Sequence, residues 1–177
     1  TRLKMHAPDG IAMPTLNYLA YGSNLFPPRL AARIAVRGVV GQIALPDTQL
    51  IFHKRGADGS GKCSLLTRAG AMAHGVVYRI DTADRATLDR IEGVGHGYAV
   101  ETLDDPEFGP CFFYRAETAA LDDTLLPYDW YHAYVLAGAR HHALPAAYVA
   151  AIVAVPTVVD PDVTRRVENM ARLALPA

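Results

Sequence analysis

The alternation of apolar and polar positions divides the chain into short apolar runs separated by turn residues, with helical spacing in only a few places. Runs at 18–21, 38–44, 49–53, 62–67, 73–80, 98–103, 111–116 and 131–137 predict strands. Helices are predicted over 28–35, 82–91, 145–154 and 161–173. After residue 38 the strands follow one another without regular helical crossovers. That order points to an α+β fold: a small mixed, mainly antiparallel sheet curled into a β-barrel and flanked by helices. In the last helix Asp160 is the expected cap and Pro161 suits the first turn, while Val163, Val167, Met170 and Ala174 share a face expected to pack on the sheet. Neither an internal repeat nor a linker divides the chain, so residues 1–16 are read as an N-terminal extension and 17–177 as a single domain.

Composition narrows the partners. With 51% hydrophobic and 20% charged residues, the 177-residue chain has a globular composition with enough apolar surface for a core. Seventeen basic against eighteen acidic residues leave a formal charge of −1, so no global field attracts nucleic acid or anionic lipid. The apolar run 146–155 is about half the length a bilayer requires and reads as a buried helix, so no membrane partner is expected. The first fifteen residues hold no apolar core of signal-peptide length, which makes a cytoplasmic address the expectation. Cys63 and Cys111 then read as free buried thiols.

Three stretches carry candidate chemistry. In "YLAYGSNL" (18–25) a strand stops at Gly22, Ser23 and Asn24 and gives way to "FPPRLAARI", where Pro27 and Pro28 open a helix. A strand that feeds a helix through such a corner leaves backbone N–H groups suited to an anion or a developing oxyanion. "GADGSGKCS" (56–64) nearly matches a phosphate loop, but Cys63 replaces the magnesium-binding hydroxyl and no long helix follows Lys62. It reads as a polar connection between two strands. In "DTADRATLDRIEGVGHGY" (81–98) a helix is capped at Asp81 or Thr82 and stopped by Gly93 and Gly95, which leaves Glu92 at its C-terminal end. A carboxylate is disfavoured at the negative end of a helix, a setting suited to a general acid/base, although a glutamate beside a glycine there is also a common surface residue. His141 and His142 lack ligand spacing, so no metal is expected. Ser23 as a nucleophile would need a base, and nothing in the sequence ties it to His53, His74, His96 or His132. His96 lies near Glu92 in sequence, as a tuning group or as a plain loop residue.

The corner and the "LDRIEGVGHGY" segment, roughly seventy residues apart, together resemble the gamma-glutamylcyclotransferase-like family. "HGVVYRI" is similar to the strand before that family's catalytic helix, and "YHAYVLAGARHHALPAAYVAAI" to its C-terminal strand, Gly-Ala turn and helix. The resemblance implies a small β-barrel with a pocket at one end and no cofactor. It implies that Glu92 is the acid/base, that Tyr21, Gly22, Ser23, Asn24 and Leu25 bind a glutamyl group, and that Tyr98 and Tyr131 line the pocket. The implied partner is a small γ-glutamyl amide or γ-glutamyl amino acid, converted to 5-oxoproline and a free amine. A noncatalytic binding module of the same fold is the alternative.

Overall fold

The computed structural model describes residues 13–176. Strands β1 (Thr15–Ala20), β2 (Val36–Arg55), β3 (Gly61–Asp81), β4 (Tyr98–Asp105) and β5 (Gly109–Ala116) form one five-stranded sheet in the order β2-β3-β1-β5-β4. β1 is central, antiparallel to β3 and parallel to β5, and the remaining neighbours are antiparallel. The fold is therefore α+β with a mixed, mainly antiparallel sheet. The expected barrel does not close: among the described residues no ladder joins the edge strands β2 and β4. Thr15 and Leu16, assigned from sequence to an extension, belong to β1 and pair with Asp81 and Ile80; residues 1–12 of that extension lie outside the described residues.

Four predicted strands merge into two. Pro46 and Asp47 read as a break between 38–44 and 49–53, as Arg68 and Gly70 do between 62–67 and 73–80. The ladder nevertheless resumes at Thr48–Thr67 after Pro46–Met72. A bulge absorbs the mismatch, and the Gly70 N–H donates to Asp47 Oδ1 at 2.8 Å. Further register shifts near Val36, Val39 and Ile51 let this long hairpin curl, since each bulge adds bend and twist. Its turn at 56–60 joins β2 to β3 directly, where a phosphate loop would require a long helix.

Helices α1 (Pro27–Ala31), α2 (Arg85–Glu92), α3 (Asp129–His141), α4 (Ala146–Val153) and α5 (Val163–Leu173) complete the structure. α3 overturns the predicted strand at 131–137 and the Gly-Ala turn after it. Its buried residues, Trp130, Tyr131, Tyr134, Val135, Gly138 and Ala139, recur at helical spacing. A seven-residue window rich in strand formers hid that period, because short apolar runs do not distinguish the two. α5 packs on α3 rather than on the sheet: Arg166 Nε donates to Asp129 Oδ2 at 2.7 Å and Tyr134 Oη to the Asn169 carbonyl at 2.8 Å. Met170 meets the core, whereas Val163 and Val167 are exposed. None of the described helices is long and apolar enough to cross a membrane.

The α5 cap is Asp162, which accepts from Arg165 N–H at 2.9 Å, and not Asp160. Asp160 is instead a buried tie. Its carboxylate accepts from Trp130 Nε1 at 2.7 Å and takes both arms of the Arg165 guanidinium at 2.6 Å. The Arg165 bonds hold its pKa well below the usual carboxylate range. The stabilisation is thus complete above about pH 5 and falls away as pH drops through about 4 toward the depressed folded value. Asp160→Asn should lower urea stability by about 2 kcal/mol at pH 7, with the gap to the parent protein narrowing in acid. A gap that does not change with pH would remove this role from the carboxylate charge.

Candidate active site

The end of β1 supplies the first half of the site. After Ala20 the chain makes a single turn of 3-10 helix, Ser23–Leu25, before α1. The turn brings Gly22 against β3, where a Cβ would stand 3.0 Å from Cys63 Cβ, so a side chain there meets the strand. Among the described residues no hydrogen bond engages the N–H of Gly22, Ser23 or Asn24. The corner therefore holds three unpartnered backbone donors, as the opening turn of a helix does.

Glu92 supplies the second half. It is the last residue of α2, followed by Gly93 at φ 76°, a left-handed position that glycine adopts without strain. Its Oε1 accepts from Asn24 Nδ2 at 2.9 Å and from Arg33 Nη1 at 2.6 Å. Arg33 also donates to Asn24 Oδ1 at 3.0 Å, and Asn24 Nδ2 donates to Tyr18 Oη at 2.9 Å. The corner and the helix end, 68 residues apart, thus meet through one amide side chain and share one guanidinium. The helix-end argument lacked this ion pair. Arg33 lies in a helical pattern where a surface arginine would look the same, so nothing in the sequence singled it out.

Glu92, Gly22, Ser23 and Asn24 line a narrow inner pocket with Tyr21, Tyr98 and Tyr131. The pocket has about 30 Å³ of free volume, room for one or two waters. Tyr18, Tyr114 and Cys63, which sequence reasoning did not select, line it as well. Tyr131, carried on α3, accepts from the Cys63 N–H at 3.0 Å, and Tyr98 donates to the Cys63 carbonyl at 2.6 Å. Tyr21 donates to the Tyr114 carbonyl. Burial raises Tyr21, Tyr98 and Tyr131 well above the ordinary phenol range, so all three serve as neutral hydrogen-bonding groups. Burial also pushes the Cys63 thiol up to about 12, which leaves it a poor nucleophile. The structure turns Leu25 away from the pocket. It is fully buried under α3, and its N–H is bonded to the Gly22 carbonyl at 2.9 Å.

Past Glu92 the pocket opens into a cleft of about 480 Å³ bordered by Ser23, Tyr98, Tyr131 and His96. Among the described residues no group of three or more His, Cys, Asp or Glu side chains is arranged to hold a metal ion.

The architecture is that of the gamma-glutamyl cyclotransferase-like fold. Residues 73–152, the stretch that carries both Glu92 and Tyr131, match the AIG2-like family. Among solved structures, a gamma-glutamyl cyclotransferase superposes with a TM-score of 0.72 at 23% identity, over 82% of this chain and 90% of its own. An uncharacterized protein from Homo sapiens gives 0.75 at 22% identity, over 91% of this chain and 99% of its own. YkqA from Bacillus subtilis gives 0.67 at 20% identity, over 81% of this chain and 56% of its own. No curated protein matches the sequence.

Proposed function

We propose that this protein is a gamma-glutamyl cyclotransferase, releasing 5-oxoproline and a free amine from a γ-glutamyl amide. One observation carries the reading: the Glu92 carboxylate and the donor-rich corner at Gly22–Asn24 border the same pocket, with Asn24 Nδ2 2.9 Å from Glu92 Oε1. The similarity to a solved gamma-glutamyl cyclotransferase supports it at the level of fold.

The chemistry needs little else. A γ-glutamyl amide carries its own nucleophile, the α-amino group, and folding the chain brings that nitrogen to the side-chain carbonyl carbon. Holding this fold supplies orientation worth roughly several kcal/mol. Glu92 takes a proton from the α-ammonium, the nitrogen attacks, and the carbon–nitrogen bond of a five-membered ring forms. The tetrahedral oxyanion is met by N–H groups of the corner. As the bond to the leaving amine breaks, Glu92 returns a proton to the departing nitrogen. The ammonium loses two protons in all and the leaving amine gains two, so Glu92 ends as it began and neither water nor an oxidant is consumed.

The test is release of 5-oxoproline from a panel of γ-glutamyl amides, with Glu92→Gln as the control. Turnover of at least one amide, lost in the control, is the expected result. Tight binding of a panel member with no turnover of any would identify a binding module instead.

A further inference from the structure

The chain just past the corner is short of hydrogen-bond donors. Pro27 and Pro28 carry no backbone N–H, and the Arg29 N–H donates to the Phe26 carbonyl at 3.0 Å. In a continuing 3-10 turn the Leu25 carbonyl would accept from residue 28, which is a proline. Among the described residues no backbone N–H reaches that carbonyl, and Leu25 is fully buried. A carbonyl so placed takes its donor from elsewhere in the fold.

Two distant side chains supply it. Tyr78 Oη, buried on β3, donates to the Leu25 carbonyl at 2.9 Å. His142, which directly follows α3, brings Nε2 to 3.0 Å from the same oxygen and to 2.6 Å from Tyr78 Oη. Burial, with His141 alongside, holds His142 below its ordinary pKa, so the ring is neutral at neutral pH. A carbonyl only accepts, and a phenol hydrogen given to His142 would leave the Leu25 oxygen facing two atoms without a hydrogen. The ring hydrogen therefore sits on Nε2, and the phenol points at Leu25. His142 is itself held, because Gln42 Nε2 donates to its carbonyl at 2.6 Å.

The clamp acts on the residue that closes the corner. The Leu25 N–H donates to the Gly22 carbonyl at 2.9 Å, so Leu25 is tied to the corner at one end and to Tyr78 and His142 at the other. Fixing Leu25 fixes the direction in which the N–H groups of Gly22, Ser23 and Asn24 point. We propose that Tyr78 and His142 are positioning residues for those donors, although neither lines the inner pocket or the cleft. The inference rests on the cyclotransferase reading for its effect on rate, and on geometry alone for the clamp.

The test measures 5-oxoproline release, and amide hydrogen exchange by NMR at Leu25 and Phe26, in Tyr78→Phe, His142→Leu and the double variant. A carbonyl oxygen has two lone pairs, so each single variant keeps one donor and should lower kcat only about threefold. The double variant removes both donors and should lower kcat about thirtyfold or more, beyond the roughly ninefold product of the single effects. Its Leu25 and Phe26 amides should exchange about tenfold or more faster, measured against amides of the β4–β5 ladder. In the Tyr78→Phe background, His142→Gln should recover most of the kcat that His142→Leu loses, because a carboxamide N–H replaces the Nε2–H. Melting curves report whether each variant is folded, and if the double variant is not, the single variants decide by the same exchange comparison. A double variant with the parent kcat, equal acceleration at the corner and the ladder, or no recovery with glutamine overturns the positioning role and leaves the cyclotransferase reading standing. A parent protein that turns over no γ-glutamyl amide overturns that reading instead, and exchange at Leu25 and Phe26 then decides the clamp by itself.

Discussion

Replacing Glu92 by Gln is expected to reduce 5-oxoproline formation by about 10²–10⁴-fold, the range typical of a lost general acid/base. The loss should fall on kcat, with KM moving little, because the glutamine oxygen still accepts from Arg33 and Asn24, the two donors that hold the carboxylate now at 2.6 and 2.9 Å. For the same reason the fold should survive and the melting temperature change by only a few degrees. The carboxamide has no basic oxygen to take a proton from the α-ammonium. A variant that keeps a tenth or more of the parent kcat would dismiss Glu92 as the proton carrier.

A methyl group at Gly138 should do comparable harm from outside the pocket. α3 crosses the corner so closely that a Cβ there would stand 2.4 Å from Leu25 Cβ, 2.5 Å from the Leu25 carbonyl carbon and 2.6 Å from the Phe26 nitrogen. Two of these atoms are backbone and have no rotamer to change. Alanine gains about 1 kcal/mol of helix propensity over glycine, while overpacking against a fixed neighbour costs about 3 kcal/mol. The net loss of about 2 kcal/mol corresponds to a fall in melting temperature of roughly 4–8 °C for a chain of this size. Because the displaced segment continues directly from Ser23 and Asn24, kcat/KM should also fall by about tenfold or more, as small misplacements in an active site do. A Gly138→Ala protein as stable and as active as the parent would mean that α3 does not brace the corner.

The two predictions separate what the chain declares locally from what it does not. Glu92 was legible because the signals around it are short in range, helical spacing through Leu88 and a glycine stop at Gly93, although the expected cap at Asp81 or Thr82 makes no side-chain bond to the helix, which begins at Arg85. The corner was legible for the same reason, since a strand, three small residues and two prolines lie within a dozen positions. Gly138 was not. Its role depends on Leu25, more than a hundred positions away, and without that contact the Gly-Ala pair passed for a turn. The seven-residue apolar window at 131–137 completed the misreading, because the buried stripe of α3 shows its helical period only when Trp130, Gly138 and Ala139 are included.

The charged residues of the site were silent for a different reason. Arg29, Arg33 and Lys54 carry the same side chains that solvent-facing positions carry, and charge has no periodicity that marks an enclosed one. Only packing distinguishes them: Arg33 by its bond to Glu92 across 59 residues, and Lys54 by the Tyr98 ring, whose centre lies 4.6 Å from its ammonium.

By itself the sequence determined the α+β class, the Gly-Ser-Asn corner after β1, the helix that ends at Glu92 and the polar turn at 56–60, because each follows from residues within a few positions of one another. Tertiary structure alone decided that β2 and β3 run unbroken through their bulges, that the sheet stays open, that 131–137 is helical, and that Asn24 and Arg33 converge on Glu92. Those outcomes depend on which distant surfaces exclude water together, and a linear pattern holds the candidates for such contacts without holding their pairing.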